Sequence, residues 1–314
     1  MRKGETILAD YGKVMNYYGE QRLALRANLH SHTTCSDGKF APQELIRLYA
    51  ERGYDVLALT DHRQIHDVSP YDPCGMVLIP GGEINPVNPG QMRWHILVLN
   101  CPADFKYATP VNPEVLAQEV IDAANAAGGL AAVAHPYWCN FSSEVVKRVK
   151  NYFAIEVYNS QCRDVDRAYS LQTWDELLLD GIKVNAIAVD DVHSAPALFR
   201  GWTMICARDR TLESIMDALR KGEFYASQGP EFRKFELKGD TLTVEFSDVV
   251  ECCFMARTGR CCIAKSEPQG PGSESPVINS AVLDVSNMRT GINFVRCHIC
   301  DAQGHHAWSN PIYL

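Results

Sequence analysis

No run of apolar residues in this 314-residue chain approaches the ~18–20 needed to cross a bilayer, so no membrane-spanning helix is expected. The first residues, MRKGETILADYGK, lack an apolar stretch before a cleavage site, which places the protein in the cytoplasm as an expectation. Blocks of consecutive basic residues are missing too. Thirty Lys and Arg against 38 Asp and Glu leave a net charge of −8, so the surface at large will not capture long nucleic acid. Internal repeats and low-complexity tracts are absent, and apolar residues are not scarce at 46%, which excludes solenoids and disorder. Nothing addresses the 12 cysteines to an oxidising compartment, and a chain of this length needs no disulfide staples; free thiols are expected.

What is present is a long alternation of short β-branched runs with amphipathic stretches, the pattern of repeated βα units. Strands are expected at Leu23–Leu29, Val56–Thr60, Val77–Pro80, His95–Leu99, Leu130–Ala134, Ala154–Tyr158, Lys183–Val189 and Trp202–Ala207. Helices fit PQELIRLYAERG from Pro42 to Gly53, then Pro113–Ala127, Ser143–Lys150, Val165–Leu179 and Leu212–Lys221, several of them stopped by glycine. So many units in one order predict strands closed into a barrel wrapped by helices. At Gly229-Pro230 the pattern changes to short strands (FRKFEL, TLTVEF, VECCFMA, CCIAK, AVLDV, FVRCHI), with hairpin turns at Gly239-Asp240 and Ala302–Gly304 and a loop over EPQGPGSESP. The expected division is an α/β barrel over residues 1–230 and a small all-β sandwich over 231–314.

Metal-type side chains fall at the ends of these strands. His30 and His32 follow the first; Asp61-His62, Glu83, His135, and Asp191 with His193 follow later ones, and His95 opens another. In a βα barrel the C-terminal strand ends share one rim, so residues spread over 160 positions would meet in one cleft. Imidazoles and carboxylates bind Zn, Mn and Fe, a carboxylate can bridge two ions, and coordination brings the pKa of water to about 7, giving a hydrolase its nucleophile.

The ordered motifs HSHTTCSDG, TDH, GGE, AHP and DDVH resemble those of the polymerase and histidinol phosphatase (PHP) family over about residues 24–228. YAERGYDVLALTDH, IEVYN, ALRKGEFYASQGP and AWSNPIYL are similar to the branch containing carbaryl-hydrolase-like enzymes and PHP nucleotide phosphatases. The resemblance implies a distorted (β/α)7 barrel with two or three divalent ions. His30, His32, Glu83 and Asp191 would hold one; Glu83 would bridge to a second held by His95 and His135; Asp37, His62 and His193 would hold a third. A metal-dependent phosphoesterase is expected, acting on a small anionic substrate such as a nucleotide or oligonucleotide end, with Glu83 seating the nucleophile and His193 protonating the leaving oxygen. Ester, amide or carbamate hydrolysis on the same site is the alternative, and a non-catalytic metal-binding scaffold is a third reading.

Further roles are expected around this set. Asp61 and Asp190 would orient imidazoles from behind or cap helices. Arg63, Arg163 or Arg200 would clamp an anionic group. Tyr137, Trp138 and Tyr158 would stack on a base or pack at the rim, and Glu156 and Asn159 of IEVYN would face the mouth or, for Glu156, an ion pair. A zinc site pooling Cys252, Cys253, Cys261, Cys262, Cys297 and Cys300 is disfavoured, because Cys297 and Cys300 face opposite sides of a strand.

Overall fold

The computed structural model describes residues 14–17, 19–85, 94–107, 113–256, 262–265, 277–289 and 294–314. The N-terminal segment read for targeting, the 267–276 loop and Cys261 lie outside them. After β1 (Val14–Tyr17), strand β2 (Glu20–Asn28) pairs in parallel with β3 (Val56–Leu59), and β3 with β4 (Val77–Ile84). Direction then reverses: β5 (Ile96–Leu99) is antiparallel to both β4 and β6 (Leu130–Val133). Parallel pairing resumes through β7 (Ala154–Asn159) to β8 (Asn185–Val189), and a parallel bridge between Ser31 and Val192 brings the region beyond β8 back to the end of β2. The uniform series of parallel units expected from the sequence is therefore interrupted at β5. That reversal delivers His95, at the start of its strand, to the rim where the others end.

Helix α1 (Pro42–Glu51) opens on a proline, whose missing N–H costs nothing in a first turn, and buries Leu45, Ile46 and Tyr49. After α2 (Pro113–Ala126), the expected 143–150 helix shortens to α3 (Ser143–Val146), because the following N–H groups of Arg148 and Val149 bond three residues back. The expected 165–179 helix starts late. Gln161–Val165 is a 3-10 turn ended by Asp166 in a left-handed conformation, and α4 runs only from Leu171 to Leu179. Helix α5 (Leu212–Lys221) is capped by Thr211, whose hydroxyl accepts from Ser214 N, and closed by Gly222 at φ 74°. Strands β9 (Trp202–Ala207) and β10 (Phe224–Ser227) extend the sheet antiparallel from β2.

Beyond residue 230 the described chain is strands β11 (Phe232–Lys238), β12 (Thr241–Val249), β13 (Glu251–Ala256), β14 (Cys262–Lys265), β15 (Ile278–Asp284), β16 (Phe294–Cys300), β17 (His306–Ser309) and β18 (Ile312–Tyr313), with one 3-10 turn at Ser286–Met288. The hairpin at Gly239-Asp240 is as expected; β17 and β18 were not anticipated. Ladders cross the expected boundary, since β1 pairs with β11 and β10 with β17. Apolar packing forms three clusters. One fills the space inside the β2–β9 strands with Leu25, Ala27, Ala58, Ile79, Leu97, Ile187 and Val189; a second lies under α2 and α4; a third joins α1 to the C-terminal strands. Small and branched residues dominate the first, which closes the centre and leaves chemistry to the rim. Among the described residues no helix is long and apolar enough to cross a membrane.

Candidate metal centre

Two glycines let the rim loops approach closely. A Cβ on Gly82 would lie 2.0 Å from the carbonyl oxygen of Gln64, and one on Gly38 would lie 2.3 Å from that of His32. Glycine at these places lets the 62–66 loop lie on β4, where Arg63 N bonds Glu83 O at 2.8 Å and His66 N bonds Gly81 O at 2.7 Å. His135 (φ 26°) and Asp191 (φ 52°) hold left-handed backbone, a strain of about 1–3 kcal/mol each that the surrounding fold sustains.

All nine predicted ligands meet there. Glu83 is the hub: its Oε1 lies 2.6 Å from His95 Nδ1 and 3.0 Å from His135 Nε2, while its Oε2 lies 2.9 Å from His62 Nδ1, 3.3 Å from His32 Nε2 and 3.5 Å from His30 Nε2. Three donor groups result, namely His30 with His32 and Asp191; Glu83 with His95 and His135; and Asp37 with His32, His62 and His193. His30, His32, Glu83 and Asp191 are buried, whereas the Asp37 side chain is 55% exposed, so the third group opens to solvent.

The hydrogen bonds behind the rings of His30 and His32 suit one tautomer of each. His30 Nδ1 donates to Glu156 Oε1 at 2.6 Å, leaving a lone pair on Nε2. Ser36 Oγ donates to Asp61 at 2.6 Å and so can accept from His32 Nδ1 at 3.4 Å, the tautomer in which His32 Nε2 offers a lone pair. These two Nε2 atoms stand 3.1 Å apart, with Asp191 Oδ1 at 3.2 and 3.1 Å from them. With Nδ1 as the donor on both rings, the lone pairs of His30 and His32 face the carboxylate oxygens of Asp191 and Glu83. Asp191 Oδ1 and His62 Nδ1 are buried atoms without a hydrogen bond. Donor separations of 3.1–3.5 Å suit ligands about 2.1 Å from a shared tetrahedral ion, whose edges would be about 3.4 Å. The donor set fits a divalent cation.

Charge at the centre follows the same geometry. Burial opposes ionisation of Glu83, yet the rings of His95, His30 and His135 hold its carboxyl well below the usual range. Asp191, equally buried, is held low chiefly by His30 and His32. Hydrogen bonding to His193 and His62 holds Asp37 low. Burial pulls His62 down, but its contacts with Asp37 and Glu83 carry it up to about 9.

The supporting residues differ from expectation. Glu156 takes the ion-pair alternative, with His30, and neither it nor Asn159 lines the mouth. Glu156 is buried and locks His30 while Oε2 accepts from His135 N at 2.9 Å; Asn159 donates to Glu156 at 2.8 Å and to Asp191 at 3.0 Å, tying two ligand groups together. Asp190, expected to orient an imidazole, instead accepts from Tyr49 Oη and the backbone N–H groups of Phe199, Arg200 and Gly201; burial pushes its carboxyl up to about 6. Asp61 holds Thr33, Ser36 and, at 2.5 Å, His66, an imidazole that no motif singles out. Despite its burial, that bonding brings Asp61 down to about 2. Cys139 Sγ, 3.5 Å from His135 Nδ1, backs another ring.

A cavity of about 330 Å³ lies over the centre, lined by ligands together with Trp138, Gln161, Cys162, Asp164 and Val165. Neither Arg63, Arg163 nor Arg200 lines it; all three are exposed, and the Arg200 side chain turns to the Pro196 carbonyl. Tyr158 is buried against Tyr169 and Gly201, and Tyr137 sits outside the cavity with Arg167 over its ring. Cys252 and Cys297 lie 3.6 Å apart in the β-core, and no cysteine of the C-terminal strands joins a ligand group among the described residues.

A two-domain protein from Bacteroides vulgatus containing a predicted PHP-like metal-dependent phosphoesterase matches 96% of this chain over 98% of its own, with a TM-score of 0.53 at 15% identity. That match establishes a shared fold. Weaker likenesses are to an amidohydrolase from Chromobacterium violaceum with bound sulfate and no metal (TM-score 0.41, 18% identity, 53% of this chain and 87% of that one) and to a candidate metal-dependent phosphoesterase from Bifidobacterium adolescentis (0.42, 15%, 64% and 96%). No protein-family model and no curated protein matches the chain. Motifs and fold agree on a PHP-like architecture.

Proposed function

We propose that the protein is a metal-dependent phosphoesterase of the PHP type, built on a distorted seven-stranded βα barrel with a C-terminal β-sandwich, that hydrolyses small phosphate esters such as nucleotides or oligonucleotide ends. The convergence of ligand-type atoms from His30, His32, Glu83 and Asp191 within 3.1–3.5 Å carries the reading. Zn, Mn or Fe would be held by these residues, by Glu83 with His95 and His135, and by Asp37 with His62 and His193. Such ions, when bound, supply a nucleophile at neutral pH by acidifying water and neutralise phosphoryl charge. Three divalent ions against the carboxylates of Asp37, Glu83 and Asp191 leave a site charge of about +3, a local trap for an anion on an acidic protein.

The chain's own groups position and move protons. Glu156 keeps the His30 proton on Nδ1, and the Asp191 carbonyl, 2.9 Å from His193 Nδ1, keeps that ring's proton away from Nε2. With the third ion absent, His193 Nε2, 3.3 Å from Asp37, can instead hold a second proton for the leaving oxygen, because burial, which lowers its pKa, is outweighed by Asp37 and Asp191, which raise it.

A second reading, attack on the carbon of an ester or carbamate, is favoured by one observation: no Lys or Arg lines the cavity among the described residues. The full donor set stands against a non-catalytic scaffold. The test is kcat/KM for a nucleoside monophosphate, a phosphodiester and an aryl carbamate at one metal loading. A phosphate ester should win; a carbamate ahead by about tenfold, or about 1.4 kcal/mol, would select the second reading.

A further inference from the structure

Outside the ligand set, the cavity wall is built from two short segments. Trp138 follows His135 by one turn, and its half-buried ring lies 5.1 Å from that of His135 and 5.5 Å from that of His95. Val165, apolar yet 54% exposed, lines the same cavity from the end of the 161–165 turn. That turn also presents Asp164, which accepts from Gln161 Nε2 at 3.1 Å and is the only formally charged lining residue outside the ligand set among those described. Cys162 beside it is kept neutral, burial pushing its thiol far up. At about 330 Å³ the space is at the small end of ligand cavities, room for one ring beyond the reacting group.

We infer that Trp138 and Val165 form a binding wall for an aromatic leaving group, and that Asp164 disfavours a second negative charge on that group. The inference rests on the hydrolase reading above and adds the source of specificity: an indole face and one carboxylate, with no guanidinium clamp. Planar contact with an indole gives an aryl group an advantage of about tenfold over a methyl group. A carboxylate placed on the aryl ring meets Asp164 and forfeits much of it.

The test is binding, not turnover. Zinc-loaded protein is titrated calorimetrically with phenylphosphonate, methylphosphonate and 4-carboxyphenylphosphonate. The native protein should favour phenyl over methyl by about tenfold; Trp138→Leu should reduce the ratio below about threefold and Trp138→Phe should restore most of it. Asp164→Asn should bring the carboxyphenyl compound up to the phenyl one. Zinc content and circular dichroism establish that each variant is folded. Equal affinity for phenyl and methyl in the native protein, no phosphonate binding, or a ratio unmoved by Trp138→Leu overturns the wall. A carboxyphenyl deficit unmoved by Asp164→Asn overturns the role of Asp164. Phenyl preference without hydrolysis of any phosphate ester would leave the wall standing and overturn the phosphoesterase reading; hydrolysis with flat affinities would do the reverse.

Discussion

Replacing Glu156 by Gln removes no volume and only one charge, yet it should disable the first metal position. In the native protein Oε1 accepts the His30 Nδ1 proton at 2.6 Å, while Oε2 accepts from His135 N and Asn159 Nδ2. Gln has one accepting oxygen. Two donors already demand it at the Oε2 position, so its NH2 must face His30. Two donors cannot share that contact; His30 moves its proton to Nε2, the atom that meets His32 and Asp191. A protonated Nε2 is no ligand. Loss of such a supporting contact typically costs 10–100-fold in metal affinity, about 1.4–2.7 kcal/mol. Zinc titration against a chromophoric chelator should show one position weakened by that factor in Glu156→Gln, with the melting temperature of the zinc-free protein nearly unchanged and turnover falling with occupancy. Native affinity together with turnover within twofold of native would refute the tautomer argument.

Other outcomes depend on single contacts. Glu83→Gln should cost more activity and more bound metal than Asp37→Asn, because Glu83 reaches five imidazoles and Asp37 serves the open group; equal losses in a metal assay would contradict the bridge. His66→Ala should release Asp61 and, through Ser36, the loop bearing Asp37, so the third ion should be lost first on dilution into chelator. Burial, with His306 and Arg296 nearby, lowers His298 to about 3. The neutral ring is compatible with the folded state at all pH above its unfolded value of 6.5, and stability is lost as pH falls from there toward 3. Up to about 2 kcal/mol should disappear between pH 7 and pH 5, and His298→Gln should flatten that limb in urea titrations. Leu97→Ala, at the buried centre, should cost about 2–5 kcal/mol of unfolding free energy by the same method.

Most of the candidate metal ligands were legible in the sequence because their positions are punctuated. All but Asp37, which only the family resemblance implies, follow or open a short apolar strand, and His30-x-His32 and Asp190-Asp191 stand where strand signals end. The residues that support them carry no such punctuation. Glu156 and Asn159 lie within a six-residue buried strand, and only the pairing of β7 with β8 shows that both point at the ligands. His66 sits in a loop whose path is set by the close approach at Gly82, a tertiary fact no local pattern contains. Asp190 misled for the opposite reason. Adjacent to a ligand in sequence, its side chain leaves the centre and caps the 199–201 backbone. A helix start was visible where proline marks it, at Pro42, and the late start of α4 was hidden because Asp166 adopts a left-handed conformation without being glycine.

The most direct test of the metal-centre assignment is metal stoichiometry. Protein expressed with Zn, Mn or Fe supplementation and purified without chelator should carry at least two ions per chain by elemental analysis. Chelation should abolish phosphate ester hydrolysis and re-addition should restore it. Fewer than one ion per chain under these conditions, or turnover that survives complete metal removal, would contradict it.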